Sequence, residues 1–208
     1  MKVTRKDIIE RVKTCMEELT PQWDGTSEQT EGVNIERYIN TVIDEQLRLL
    51  LLTAPVNLLT PTELKNNITP QPREDGSGRI ELPDNFLRPV SLQMKGWKRS
   101  VTEFINASHP QYGLQFNPHT RGGIAKPVAA WLVDDNGSQV IDYYALPVTN
   151  KNHEVTTLLS VLTPPSDATD YNLHPLLFDT LGYRCAACVY DIMGNHAMSE
   201  VMTARCHI

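Results

Sequence analysis

The sequence predicts an α+β protein: a helical bundle, formed by N-terminal helices and a long C-terminal helix, with an inserted antiparallel β sandwich or barrel-like block. Three observations predict it. Apolar residues recur every three or four positions between Thr4 and Leu59, short runs of β-formers divided by turn residues fill Arg79 to Leu162, and a second helical stripe starts at Pro175. The domains that follow are 1–59 together with 166–208 (helical), a flexible connector at 60–78, and an antiparallel β domain at 79–165.

In chain order, Thr4 with Asp7 three residues on is an acidic variant of the capping box, and opens a helix. Ile8, Val12, Cys15, Met16 and Leu19 form its apolar face, and Pro21, Gly25 and the polar stretch Thr26 to Thr30 break it. Asn34 caps a second helix, in which Ile35, Tyr38, Ile39, Val42, Ile43, Leu47, Leu50 and Leu51 make a wide stripe that Pro55 ends. Thr60 to Gly78, with Pro61, Pro70 and Pro72 before Glu74-Asp75-Gly76-Ser77-Gly78, has no apolar period and reads as a mobile loop.

Strands are expected at Arg79–Leu82, Val90–Met94, Val101–Ile105, Tyr112–Phe116, Val128–Val133, Val140–Leu146 and Val155–Leu162. Asp135-Asn136-Gly137-Ser138, between Trp131-Leu132-Val133 and Val140-Ile141, is the strongest hairpin signal. After Pro164-Pro165, Pro175 suits the first turn of a helix whose face carries Leu177, Leu181, Cys185, Cys188 and Ile192. A helix of about 30 residues would reach 45 Å, with Gly182 and Gly194 as points of bending.

The chain has 208 residues, 40% apolar and 21% charged, which excludes disordered and collagen-like classes. Nineteen Lys and Arg against 25 Asp and Glu give a net charge of −6, the wrong sign for a DNA-coating protein. The greasiest run, Leu47 to Leu52, contains Arg48 and is too short for a membrane span. The basic first residues lead into no apolar signal region, so the four cysteines are expected as reduced thiols in a cytoplasm.

Cys185-Ala-Ala-Cys188, with His196, Cys206 and His207 downstream, is the sharpest chemical motif. Thiolates and imidazoles at such spacings bind zinc, yet this pair continues a helical stripe, where cysteine acts as a small apolar residue. A small enzyme or zinc protein using Cys185, Cys188 and a histidine is therefore one alternative. His109, His119, His153 and His174 have no local signature of a catalytic base, and Arg121-Gly122-Gly123 lacks the lysine of a phosphate loop.

From Arg79 to Trp131 seven basic residues face three acids (Glu81, Asp84 and Glu103), whereas Gln22 to Ala54 carries six acids against Arg37 and Arg48. Gly96-Trp97-Lys98-Arg99 joins an aromatic ring to cations, as a single-stranded nucleic-acid-binding β module would, and this is the second alternative. Such a sequence is also an ordinary hairpin tip, with the Trp anchoring packing or an interface.

The order of these features resembles one family. A first helix, then Asn34-Ile35-Glu36-Arg37-Tyr38-Ile39 entering an aliphatic helix, then Ile80-Glu81-Leu82-Pro83-Asp84-Asn85-Phe86-Leu87-Arg88-Pro89-Val90, is similar to the head–tail adaptors of short-tailed and crAss-like bacteriophages, the tail-tube A or gatekeeper proteins. Gly96-Trp97, Gln115-Phe116-Asn117, Pro127-Val128-Ala129 and Leu173-x-Pro175-Leu176-Leu177 follow in the order such proteins have, so the resemblance covers nearly the whole chain.

The resemblance implies a structural virion protein without catalytic site, metal or cofactor, assembled in the host cytoplasm and located at the head–tail junction. It implies a closed ring of about twelve copies under the portal, joined by heterologous contacts. Its partners would be further copies, the portal protein and the next tail or ring protein, with non-specific contact to passing genomic DNA and none to membrane. The connector and the C-terminal helix would order against the portal. Trp97, Lys98, Arg99, Arg121, Leu177 and Leu181 are the candidate interface residues.

Overall fold

In the computed structural model, which describes residues 1–17, 34–147, 152–165 and 168–206, capping geometry sets the first helices. The Thr4 hydroxyl and backbone N–H both donate to Asp7 Oδ2 (2.8 and 2.7 Å), and Asp7 N–H returns a bond to Thr4 Oγ1 at 3.1 Å. After β1 (Lys2–Thr4), α1 runs Arg5–Glu17 and buries Ile8, Ile9, Val12, Cys15 and Met16. The expected break at Pro21 to Thr30, and Leu19 before it, lie outside the described residues. Asn34 caps α2 (Ile35–Thr53), its side chain accepting from Arg37 N–H at 3.1 Å. The helix stops just short of Pro55.

The chain divides into two units, 1–60 with 164–208, and 61–163. In the first, β9 (Asp170–Asn172) pairs antiparallel with β1, Val3 opposite Tyr171, and so joins the two ends of the sequence. Helix α3 (Pro175–Ile192) packs against α1, α2 and α4 (His196–Ala204), with Leu177, Leu181, Cys185 and Val189 buried. Gly182 is the point of closest approach: a Cβ there would stand 2.8 Å from Arg11 Cγ and 3.3 Å from Cys15 Sγ.

The single C-terminal helix expected from the apolar stripe is two helices. Gly194 takes φ +77, Gly194 N–H bonds Asp191 O at 2.9 Å, and Asn195 N–H bonds Tyr190 O at 2.8 Å. This pair of bonds ends α3 as a Schellman turn. Asn195 then caps α4, its side chain accepting from Met198 N–H at 3.2 Å.

The second unit holds two antiparallel sheets. β2 (Thr62–Glu63), β8 (Val155–Leu162) and β5 (Phe86–Met94) form one, in the order β2-β8-β5. β3 (Pro70–Pro72), β4 (Gly78–Glu81), β7 (Gln139–Tyr143) and β6 (Ala129–Val133) form the other, in the order β3-β4-β7-β6. Ile80, Leu92, Met94, Ala129, Ile141, Tyr143 and Leu158 from both sheets share one buried cluster. The Asp135-Asn136-Gly137-Ser138 turn connects β6 to β7, with Gly137 at φ +84.

Three expectations in this region need correction. Residues 60–78 are not a featureless connector: they supply β2, a 3₁₀ turn at Lys65–Asn67 and β3. Pro70 and Pro72 are tolerated because β3 is an edge strand whose only partner is β4. Val101–Ile105 is not a strand but touches the sheets at its two ends only, Val101 opposite Leu92 and Ile105 beside Ala130. Tyr112–Phe116 is likewise not a strand, since Gly113–Phe116 forms a 3₁₀ turn.

Gly78 is required by close packing. A Cβ there would overlap the Tyr143 hydroxyl and stand 2.7 Å from Gln71 O on the paired strand. Gly78→Ala is expected to destabilise the β unit by about 1–3 kcal/mol, read as a lowered urea midpoint.

Candidate interaction surface

Between β5 and β6 the chain leaves the sheets for 34 residues. Gly96, at φ +99, turns it out of β5, and Trp97 N–H closes the turn on Met94 O at 3.1 Å. Val101 returns to the sheet edge by exchanging bonds with Leu92 (2.8 and 2.9 Å), and Ile105 does so beside β6, accepting from Trp131 N–H at 2.9 Å. Asn106 and Asn117 then make side-chain turns to Ser108 N–H (3.1 Å) and His119 N–H (2.9 Å). Buried Gln115 ties the two arms of this loop, donating to Gln111 O at 2.9 Å and accepting from Gly122 N–H at 3.1 Å.

These anchors frame a cleft of 840 Å³, whose walls include Arg99, Glu103, Phe104, His109, Leu114 and Lys126. Lys98, Arg99 and Lys126 are exposed and have no ion-pair partner among the described residues, so the cleft and its rim are cationic apart from Glu103. Leu114 on its wall is 48% exposed, and beside it Phe116 (63%) and Ile124 (38%) stand exposed, Phe116 meeting the Tyr112 ring edge-on at 5.1 Å. A surface with exposed apolar side chains among unpaired cations suits a protein or polyanion partner.

The residues singled out in the sequence separate into two kinds. Lys98 and Arg99 lie on this surface. Arg121 does not: its side chain is 7% exposed and pinned to Asp75, Nη2 to Oδ2 at 3.0 Å and Nη1 to the backbone O at 2.9 Å. Trp97 is buried within the β core, so its ring offers no face for a base to stack on. Leu177 and Leu181 are buried on α3 and present no surface for an interface.

Tyr112–Phe116 has the composition of a strand, which in the sequence hides Leu114 and Phe116 as exposed side chains of a loop. The density of Asn106, Pro110, Gly113, Asn117 and Pro118 around it was the signal for a loop.

Of the cysteine motif, Cys185 points into the core and Cys188 is half-buried. Burial, then the neighbouring thiols of Cys188, Cys15 and Cys206, pushes the Cys185 thiol well up, and burial raises Cys188 as well. Cys185 is fully buried on the core face of α3, where cysteine packs as a small apolar residue, and a thiol held protonated by burial is a poor nucleophile. No group of three or more His, Cys, Asp or Glu side chains suited to a metal occurs among the described residues. Of the histidines, His174 caps α3, His153 shares a 2.7 Å bond with Tyr143, His196 contacts Asp191 at 3.0 Å and His109 accepts from Gln111 N–H; His207 lies outside the described residues.

A charged cluster stiffens the outer face of the four-stranded sheet. Asp142, 4% exposed, accepts from Arg79 Nε at 2.7 Å and Nη2 at 3.1 Å, and from Arg73 Nη2 at 3.4 Å. Burial, with Asp142 nearby, pushes the Tyr144 phenol up, and its hydroxyl has no hydrogen-bond partner among the described residues.

No protein-family model matches the chain, and no curated protein matches it either.

Two outcomes test this layout. Trp97→Ala is expected to cost about 3–5 kcal/mol of unfolding free energy by urea titration, and unchanged stability would contradict its core position. For Asp75, burial raises the carboxyl, but bonds from Ser77 and the Arg121 charge outweigh it and hold it below the usual range. Its contribution to stability is therefore present above the ordinary carboxylate pKa and is lost as pH falls through the depressed one. Asp75→Asn should flatten the acid limb of the stability–pH curve below about pH 4.

Proposed function

We propose that this chain is a structural subunit of a virion, a head–tail adaptor that assembles as a ring beneath a phage portal and lets genomic DNA pass. What carries the reading is the order of parts: an Asn34-capped aliphatic helix, a β unit whose longest strand is introduced by Leu82-Pro83-Asp84-Asn85-Phe86-Leu87-Arg88, and helices that return at the C-terminal end. The Leu-Pro-Asp phrase has a clear local job. Leu82 ends β4, and Phe86 N–H bonds Pro83 O at 2.9 Å, turning the chain into β5, nine residues long.

Charge placement supports the same reading. The helical unit holds nine Lys and Arg against fifteen Asp and Glu, whereas the β unit holds ten of each. The whole excess of acid is thus on one unit, and a partly acidic conduit would not hold DNA fast during ejection. The exposed loop surface of the β unit provides area for contacts between subunits or with a neighbouring ring. No helix among the described residues is long and apolar enough to cross a membrane.

The native mass of the purified chain, alone and mixed with the portal protein of the same particle, tests the proposal. A closed oligomer in either condition is the expected result, and a chain that stays monomeric in both overturns it.

A further inference from the structure

We propose that the cleft of the β unit receives the exposed face of α4 from a second copy of the chain, so that subunits join head to tail. The helix has two faces of different character. Ser199 and Met202 are buried, while Ala197, Glu200, Val201 and Ala204, at helical spacing, form an uncovered stripe, and Ile192 and Met193 stand exposed at the end of α3 before it. Val201 is 42% exposed and Met193 45%, beside Ile192 at 50%. A helix with this much apolar surface facing water is incomplete without a partner.

The chemistry of the stripe is the complement of the cleft. Glu200 is the acid on its exposed face, with no Lys or Arg within α4; Asp191, at the end of α3, is bonded to His196 at 3.0 Å, and the half-buried Arg205 follows the helix. The cleft has the same mixture with the opposite sign: apolar Phe104 and Leu114 inside, Phe116 and Ile124 beside it, and unpaired Lys98, Arg99 and Lys126 around them. Apolar side chains would meet in the middle and opposite charges at the edge, the arrangement of protein interfaces. An 840 Å³ recess has room for the side chains of about two helical turns, and helix-in-groove docking uses anchors at the i, i+3, i+4, i+7 spacing seen here.

A contact between two different faces of identical chains is heterologous, and it closes into a ring when its rotation divides a full turn. The inference rests on the ring reading for that closure, but not for the pairing itself. A single-stranded nucleic acid, the other occupant a cationic cleft invites, would leave the exposed face of α4, with Val201 and Glu200, uncovered.

The test exchanges charge between the faces in the full chain. Arg99→Glu with Lys126→Glu makes the cleft anionic, and Glu200→Lys with Thr203→Lys makes the α4 face cationic; all four positions are exposed, and unchanged circular dichroism and melting show that each variant folds. Each variant alone should associate at least about tenfold more weakly than the natural chain, because like charges face each other. An equimolar mixture should regain the natural mass, since the cleft of one then fits the helix of the other. A natural chain that forms a ring while either variant assembles as well as it does, or a mixture that fails to regain the mass, overturns the pairing and leaves the ring reading standing. A natural chain that is monomeric both alone and with the portal overturns both.

Discussion

Arg5 ties together the two stretches of chain that make up the helical unit. That unit is built from two stretches of chain separated by more than a hundred residues, so something must join them after each has formed its own helices. Standing at the first position of α1, Arg5 donates to Asn40 Oδ1 (3.0 Å) and Asn40 O (2.9 Å), to Asp44 (2.7 and 3.3 Å) and to the Tyr171 hydroxyl (3.2 Å). One guanidinium therefore reaches α2 from the first stretch and β9 from the second. As an ion pair alone it contributes little, since Asp44 is half exposed and such pairs are worth about 0–1 kcal/mol. Its value is positional: it fixes the start of α1 where β1 and β9 pair, and that fixes the face on which α3 finds Ile8, Val12 and Cys15.

Features legible in the sequence were those decided within a few residues. The Thr4–Asp7 box, the Asn34 cap, the stop at Pro55 and the Asn136–Gly137 turn each satisfy backbone groups locally, so their signals sit side by side in the chain. Features that were not legible depend on distant partners. β1 and β9 are three residues each and exist only because Lys2 meets Asn172 across the whole sequence. Pro70 and Pro72 read as loop because nothing local says that Gln71 between them lies opposite Arg79.

The interaction surface was legible in its charge and illegible in its shape. Lys98 and Arg99 stand out beside Trp97; Arg99 lines the cleft and Lys98 is exposed next to it. The ring beside them is turned into the core by Gly96, a change of direction that depends on one dihedral angle. Phe116 and Leu114 have the composition of a strand, but Gln115 between them is buried and spent on tying Gln111 to Gly122, so its neighbours are left facing water. Leu177 and Leu181 show the reverse: a helical stripe looks the same in sequence whether it is covered by its own chain or by another, and here α1 and α2 cover it.

The pairing of β2 with β8 has a further meaning for the architecture. Thr62 lies opposite Ser160, so the chain near the start and near the end of the β unit runs side by side, and its entry and exit are clasped by its own hydrogen bonds. A segment whose two ends meet can be carried by a host at a single point. The β unit is a cassette: its sheets and loops are free to diverge, lengthen or be exchanged for another closed segment while the helices keep their register. Contacts and scaffold can then change at different evolutionary rates within one chain.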